Sequence, residues 1–149
     1  MAALSTGNES CGMAISQEEL TALTAELVAI DSTNLDLVPG GAGEVNIARF
    51  VADWLESVGL DVEVHELGPS RANVIAVARG NGGGRSLMLN AHMDVVGAGG
   101  MAEPWTPRID GTRLYGRGAY DMKASLAAIM LAGREAARLR LRGDVIVTA

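Results

Sequence analysis

The residues able to do chemistry stand in two short stretches. In LMLNAHMDVVGAGG, residues 87–100, an apolar run of the kind that fills a sheet stops at His92-Met93-Asp94 and dissolves into glycine. In GTRLYGRGAYDMKAS, residues 111–125, Gly116 and Gly118 flank Arg117, and Asp121 precedes an apolar run of helical spacing. An imidazole is a common metal ligand, and a carboxylate beside it fixes its tautomer and raises its basicity. If extended backbone continues past the strand, His92 and Asp94 share one face, because side chains at i and i+2 do. Taken alone, such a pair is more often a local hydrogen bond than a metal site. Asp121 taken alone reads as a helix N-cap, favoured by free backbone N–H groups and the helix dipole. Lys123 reads as a solvated side chain on the first helical turn. Neither reading covers the Gly-Arg-Gly run, which suits a close approach of backbone to some other group.

Patterning supplies the elements that must hold these groups. SQEELTALTAELVAI opens with Ser16 and Glu19, a capping-box pair, and Leu20, Leu23, Leu27 and Val28 recur at helical spacing. EVNIARFVADWLESVG predicts a second helix with Ile47, Val51, Trp54, Leu55 and Val58 on one face and Gly59 as its stop. LDVEVHEL alternates like a half-buried strand, whereas NVIAVA and SLMLNA read as continuous apolar strands. Between those two, RGNGGGR is short enough for a hairpin-type connection. A long irregular segment follows. DMKASLAAIMLAGREAARLRL predicts a helix with Leu126, Ile129, Met130 and Gly133 inward, and DVIVTA a further strand. The order αα, βββ, α, β predicts an α/β sheet with helices packed on it. Open sheets of this class gather ligands beyond the carboxyl ends of their strands, which is where His92 falls.

Composition removes several classes of function. The 149 residues carry a net charge of −6 and a pI of about 4.8, which argues against a nucleic-acid partner. No apolar run reaches the ~18 residues of a membrane span. The opening MAALSTGNESCGMA has neither the basic nor the apolar region of a secretory leader, so a cytoplasmic protein is expected. Residues 1–13 read as a flexible extension, with Met13 as an alternative start. Cys11 is the one cysteine and reads as an incidental thiol. PGGAGE and GNGGGR lack the following Gly-Lys-Ser/Thr of a phosphate loop, and GRGAYD has Asp121 where a dinucleotide fingerprint needs glycine. No Gly-x-Ser-x-Gly elbow is present. His65 reads as a surface histidine, and Trp54 and Trp105 as packing residues.

In this order and spacing the two stretches resemble the metallopeptidase family of acetylornithine deacetylase, succinyl-diaminopimelate desuccinylase, aminoacylase and glutamate carboxypeptidase. The resemblance runs over residues 14–149 and implies a three-layer α/β/α fold around a mixed sheet. It implies that His92 is a ligand to one of two metal ions and that Asp121 bridges both. Asp94 would hold the His92 ring, and the Asp121–Met122 bond would be cis. The cations implied are zinc, with cobalt able to substitute, and their chemistry is activation of a shared water against an amide carbonyl. The substrate implied is a small N-acyl amino acid or peptide. Two departures bear on the substrate loops: Ala124 stands where a glycine is common, and the loop holding Trp105 is short. The family's glutamate pair, a further acidic ligand and a distant histidine have no counterpart here, since Glu103, Glu135 and His65 stand in other places. The expectation is therefore the N-terminal part of a catalytic domain. The rest of that domain, and a lid that also serves homodimer formation, would lie elsewhere in a longer protein. The rival reading is a non-catalytic binding protein on the same scaffold; nucleotide binding by the glycine loops is a distant third.

Overall fold

The computed structural model describes residues 15–149, so Cys11, Met13 and the extension expected over 1–13 lie outside the described residues. Helix α1, Gln17–Val28, begins where the sequence places it. The Glu19 N–H donates to Ser16 Oγ at 3.0 Å, and the Ser16 N–H donates to the Glu19 carboxylate at 3.0 Å. Arg134 also donates to Glu19 at 2.9 Å, and that hydrogen bond is the main cause holding this carboxyl below its usual range. Helix α2, Val45–Ser57, buries Ile47, Ala48, Val51, Ala52 and Leu55, with Trp54 and Val58 packed beside them. Gly59 ends it at φ +91°, a left-handed conformation that glycine adopts at no steric cost.

Four strands form the main sheet: β1 Asp61–Gly68, β2 Arg71–Ala78, β3 Leu87–Asn90 and β6 Val145–Thr148. Their spatial order is β1-β2-β6-β3. The sheet is mixed: β1 pairs antiparallel to β2, β2 antiparallel to β6, and β3 parallel to β6. The hairpin expected between β2 and β3 is not formed, because β6 inserts between them. The glycine stretch instead folds over the entry to β6. Gly80 donates to the Asp144 carboxylate at 2.8 Å, Asn81 N–H to Leu141 O at 2.7 Å, and Leu87 N–H to Asp144 O at 2.9 Å. A Cβ on Gly84 would stand 2.5 Å from the Gly143 nitrogen, so the loop needs glycine to lie this close.

Helix α3, Ala124–Leu139, buries Leu126, Ala127, Met130, Leu131, Gly133 and Ala136, while Ile129 is only half-buried. Gly133 lets α3 close on β6; a Cβ there would reach Val147 at 2.9 Å, with Leu60 and Leu55 alongside. The helices thus share one face of the sheet, where Val74, Ala76, Ala78, Val145 and Val147 are buried in a single core. The chain thereby builds the mixed sheet and one helical layer of an α/β/α arrangement.

That one-sidedness corrects three strand expectations. On the face away from the helices, Ile75, Val77 and Ile146 are half-buried, so β2 is covered on one side only. The edge strand β3 leaves Leu87 at 55 % and Met88 at 62 % exposed, not enclosed. In β1, the other edge, Val64 and Leu67 are exposed and only Val62 is partly buried. A small hairpin also emerges inside the segment read as irregular: β4 Arg108–Asp110 and β5 Arg113–Tyr115. Its two-residue Gly111-Thr112 loop, with Gly111 at φ +59°, is a connection that begins with glycine because the first position needs positive φ.

Candidate metal centre

The site is assembled at the carboxyl end of β3 by three segments. Past Asn90 the chain stays extended through Asp94, with Ala91, Met93 and Val95 buried and His92 and Asp94 turned to the other side. The i, i+2 expectation thus holds beyond the strand itself. His92 Nδ1 lies 3.0 Å from the Asp94 carbonyl oxygen and 3.2 Å from Asp94 Oδ1. His92 Nε2 lies 3.1 Å from Asp121 Oδ1. One imidazole therefore has a carboxylate on each nitrogen, from opposite directions.

Asp121 reaches this position through an irregular turn, Ala119–Lys123, ahead of α3. The N-cap expectation is overturned, because α3 starts three residues later with Lys123 before it and no side-chain cap hydrogen bond; Asp121 stands at φ/ψ −126°/98° ahead of a cis Asp121–Met122 bond. Met122 turns back into the molecule, and its sulfur accepts from the His92 N–H at 3.3 Å. Lys123 is not a solvated side chain. It is fully buried, its Nζ donates to Ile30 O at 2.7 Å, and the Trp105 ring centroid lies 5.4 Å from it. Burial lowers its pKa from the usual 10.5 to about 8, against the opposing pull of Asp31.

The third segment, the loop 30–34 between α1 and α2, carried no chemistry in the sequence reading. Ser32 Oγ donates to Met93 O at 2.8 Å, Val95 N–H donates to Ser32 O at 3.0 Å, and Asn34 N–H donates to Val95 O at 2.9 Å. Asn34 Nδ2 donates to Asp94 Oδ2 at 2.7 Å. Ser32, Thr33, Asn34 and Lys123 make up most of the buried polar residues among those described. Polar groups at such depth persist only when partnered, and that depth, invisible in local sequence, is the signal that singles the loop out.

The Gly-Arg-Gly run approaches the core and not a ligand. A Cβ on Gly118 would stand 2.5 Å from Val95 Cγ1, and one on Gly116 would run into Val28. Arg117 between them donates to Ala98 O at 2.9 Å. A cleft of about 290 Å³ opens over the pair, lined by His92, Asp94, Arg117, Tyr120 and Asp121. Glu103 and Glu135 are absent from it; Glu135 is taken up by Arg134 and Arg138. His65 sits on exposed β1, 3.3 Å from Glu63, as expected of a surface histidine. Among the described residues no helix is long and apolar enough to cross a membrane.

Comparison with known proteins gives this arrangement its class. Residues 88–149 match the model of peptidase family M20/M25/M40, a stretch that holds both His92 and Asp121. The chain is 33 % identical over 138 residues to N-formyl-4-amino-5-aminomethyl-2-methylpyrimidine deformylase of Halalkalibacterium halodurans, covering 87 % of this chain and 31 % of that protein. It is 37 % identical over 120 residues to succinyl-diaminopimelate desuccinylase of Leptothrix cholodnii, covering 76 % and 30 %. An M20 family metallo-carboxypeptidase from Sulfolobus solfataricus has the same fold, with TM-score 0.72, 22 % identity, and 87 % and 30 % coverage. The chain belongs to the M20 metallopeptidase superfamily. The match is at the level of the family, and the chain spans about 30 % of the length of the curated relatives it matches.

The donors present suit part of a metal site. Zinc accepts imidazole nitrogen and carboxylate oxygen, and a ligating histidine commonly gives its other nitrogen to a carboxylate or carbonyl. His92 Nε2 and Asp121 Oδ1 are donors of these two kinds, and His92 Nδ1 lies on the Asp94 carbonyl oxygen. Among the described residues no three His, Cys, Asp or Glu side chains form a group able to hold a metal ion.

Proposed function

We propose that this chain carries the His–Asp half of a metal-dependent amide hydrolase whose whole protein frees an acyl group or amino acid from a small N-acyl amino acid or peptide. What supports the reading most directly is the 3.1 Å approach of His92 Nε2 to Asp121 Oδ1 with Asp94 behind the ring. His92 and Asp121 would hold the cations, zinc in the first instance and cobalt as a substitute, with Asp121 shared between two. When bound, two such cations lower the pKa of a water between them and polarise the amide carbonyl. Asp94 keeps the Nδ1–H of His92 occupied, so the Nε2 lone pair stays directed at the site. The cleft over the pair, lined by Arg117 and Tyr120, is the space in which the amide would meet it.

Zinc titration into the isotope-labelled chain tests the donor assignment. Zinc should shift the His92 ring and Asp121 signals weakly but saturably, leave His65 unmoved, and lose its effect in Asp121→Asn. Zinc that binds elsewhere, shifting His65 and leaving His92 unmoved, would sink the reading. With two metal donors brought together among the described residues, the 149-residue chain on its own should show no amidase turnover. Zinc-dependent hydrolysis by it would overturn that division of labour.

A further inference from the structure

We infer that Asn34 is a positioning residue for the candidate centre, acting through Asp94 on the tautomer and direction of the His92 ring. The inference rests on the proposed pairing of His92 with Asp121 and goes one contact further out. Asp94 has two carboxylate oxygens with different partners. Oδ1 faces His92 Nδ1 at 3.2 Å, beside the Asp94 carbonyl oxygen that the same nitrogen meets at 3.0 Å, and Oδ2 accepts from Asn34 Nδ2 at 2.7 Å. A carboxylate on a single-bonded stem turns freely unless both oxygens are held, so the amide of Asn34 decides which way Oδ1 points.

Asn34 is itself fixed from three sides. It is buried, its side-chain oxygen accepts from the Asp36 N–H at 2.8 Å, and its backbone N–H donates to Val95 O at 2.9 Å. The oxygen's engagement with Asp36 leaves Nδ2 as the group aimed at Asp94 and settles the amide's orientation. The same loop takes the Lys123 amine on Ile30 O, two residues after Asp121. One short segment therefore ties down the strand end that carries His92 and the turn that carries Asp121. Arg71, the nearest cation on β2, is engaged with Asp36 at 2.8 Å and Glu44 at 3.5 Å, which leaves Asn34 as the direct donor to Asp94.

Ring nitrogen spectra of the metal-free chain test this, read at a pH where both imidazoles are neutral. The protein has two histidines, so His65 on β1 serves as internal control. Asn34→Ser keeps an acceptor for the Asp36 N–H but cannot reach Asp94. It should raise the minor tautomer of His92 by about threefold or more, the scale of one weakened hydrogen bond. Asp94→Asn alone should disturb His92 in the same way, and the exchange Asn34→Asp with Asp94→Asn should restore the parent spectrum to within about twofold, since donor and acceptor then meet again in reverse. An unmoved His92 signal in Asn34→Ser would overturn the inference, as would an exchanged pair no better than Asp94→Asn alone. If Asn34→Ser fails to fold, the second comparison decides by itself. Because no metal is present, these spectra stand apart from the zinc titration. Zinc that binds elsewhere and ignores His92 sinks the proposed function, and a ring indifferent to Asn34 sinks this inference.

Discussion

At the end of the sheet where β2 finishes and β6 begins, Gly80, Gly84 and Gly143 let the loop 79–86 lie against residues 140–144. At the opposite end, Gly116 and Gly118 let the chain lie against Val28 and Val95. Both regions use glycine to bring segments closer than a Cβ allows, yet they differ in what closes the gap. The first is held by backbone hydrogen bonds and by exposed arginines, such as Arg142 on Gly83 O and Arg79 on Asp61. The second is held by buried side chains, Ser32, Asn34 and Lys123, each with a defined partner. Glycine content therefore does not mark the site. Buried polar side chains do, because an unpaired one costs about 1–3 kcal/mol and so fixes geometry when paired.

Substitutions at the two ends should separate these modes. Gly118→Ala combines a left-handed φ of +79° with overlap on Val95 and should cost about 4 kcal/mol in urea unfolding. It should also displace the His92 ring signals. A mild loss with an unchanged ring would mean that the close approach is not what aims Asp121. Lys123 comes next, through pH. Its amine stays protonated to about 10.5 unfolded but only to about 8 folded, so between those values the unfolded chain binds the extra proton. Stability should therefore climb by about 3 kcal/mol from pH 8 to 10.5, and Lys123→Met should flatten the climb. The same slope in both proteins would refute the burial argument. Gly143→Ala would drive a Cβ into the Arg85 carbonyl and should cost about 3 kcal/mol, while leaving the His92 spectrum untouched. A disturbed ring there would show that the two ends are coupled. Arg142→Ala should change stability by about 0.5 kcal/mol or less, since its bond to Gly83 is solvent-exposed.

What could be read ahead of the structure was local in origin. The Ser16–Glu19 cap, the α2 stripe and the shared face of His92 and Asp94 each depend on neighbours within four residues. The insertion of β6 between β2 and β3 joins residues far apart in the chain, and nothing in either apolar run specifies its neighbour. Runs such as LMLN and NVIAV look enclosed because periodicity does not say how many faces the helices cover. The site divides the same way. His92 and Asp121 carry recognisable chemistry, whereas the roles of Asn34 and Lys123 arise from depth. The hairpin 108–115 does have a local signal, since Gly111-Thr112 between RID and RLY is a two-residue turn.

The placing of β6 also sets an order of events as the chain folds. Its partners on either side, Ile75–Ala78 and Leu87–Asn90, lie roughly 55 to 75 positions upstream, so both ladders are non-local and slow to close. Until residues 145–148 arrive, β2 and β3 each present a bare strand edge to solvent. A newly made chain therefore passes through a stage in which both edges of β3 and one of β2 are open to pairing with other molecules, and the arrival of β6 closes all but the outer edge of β3.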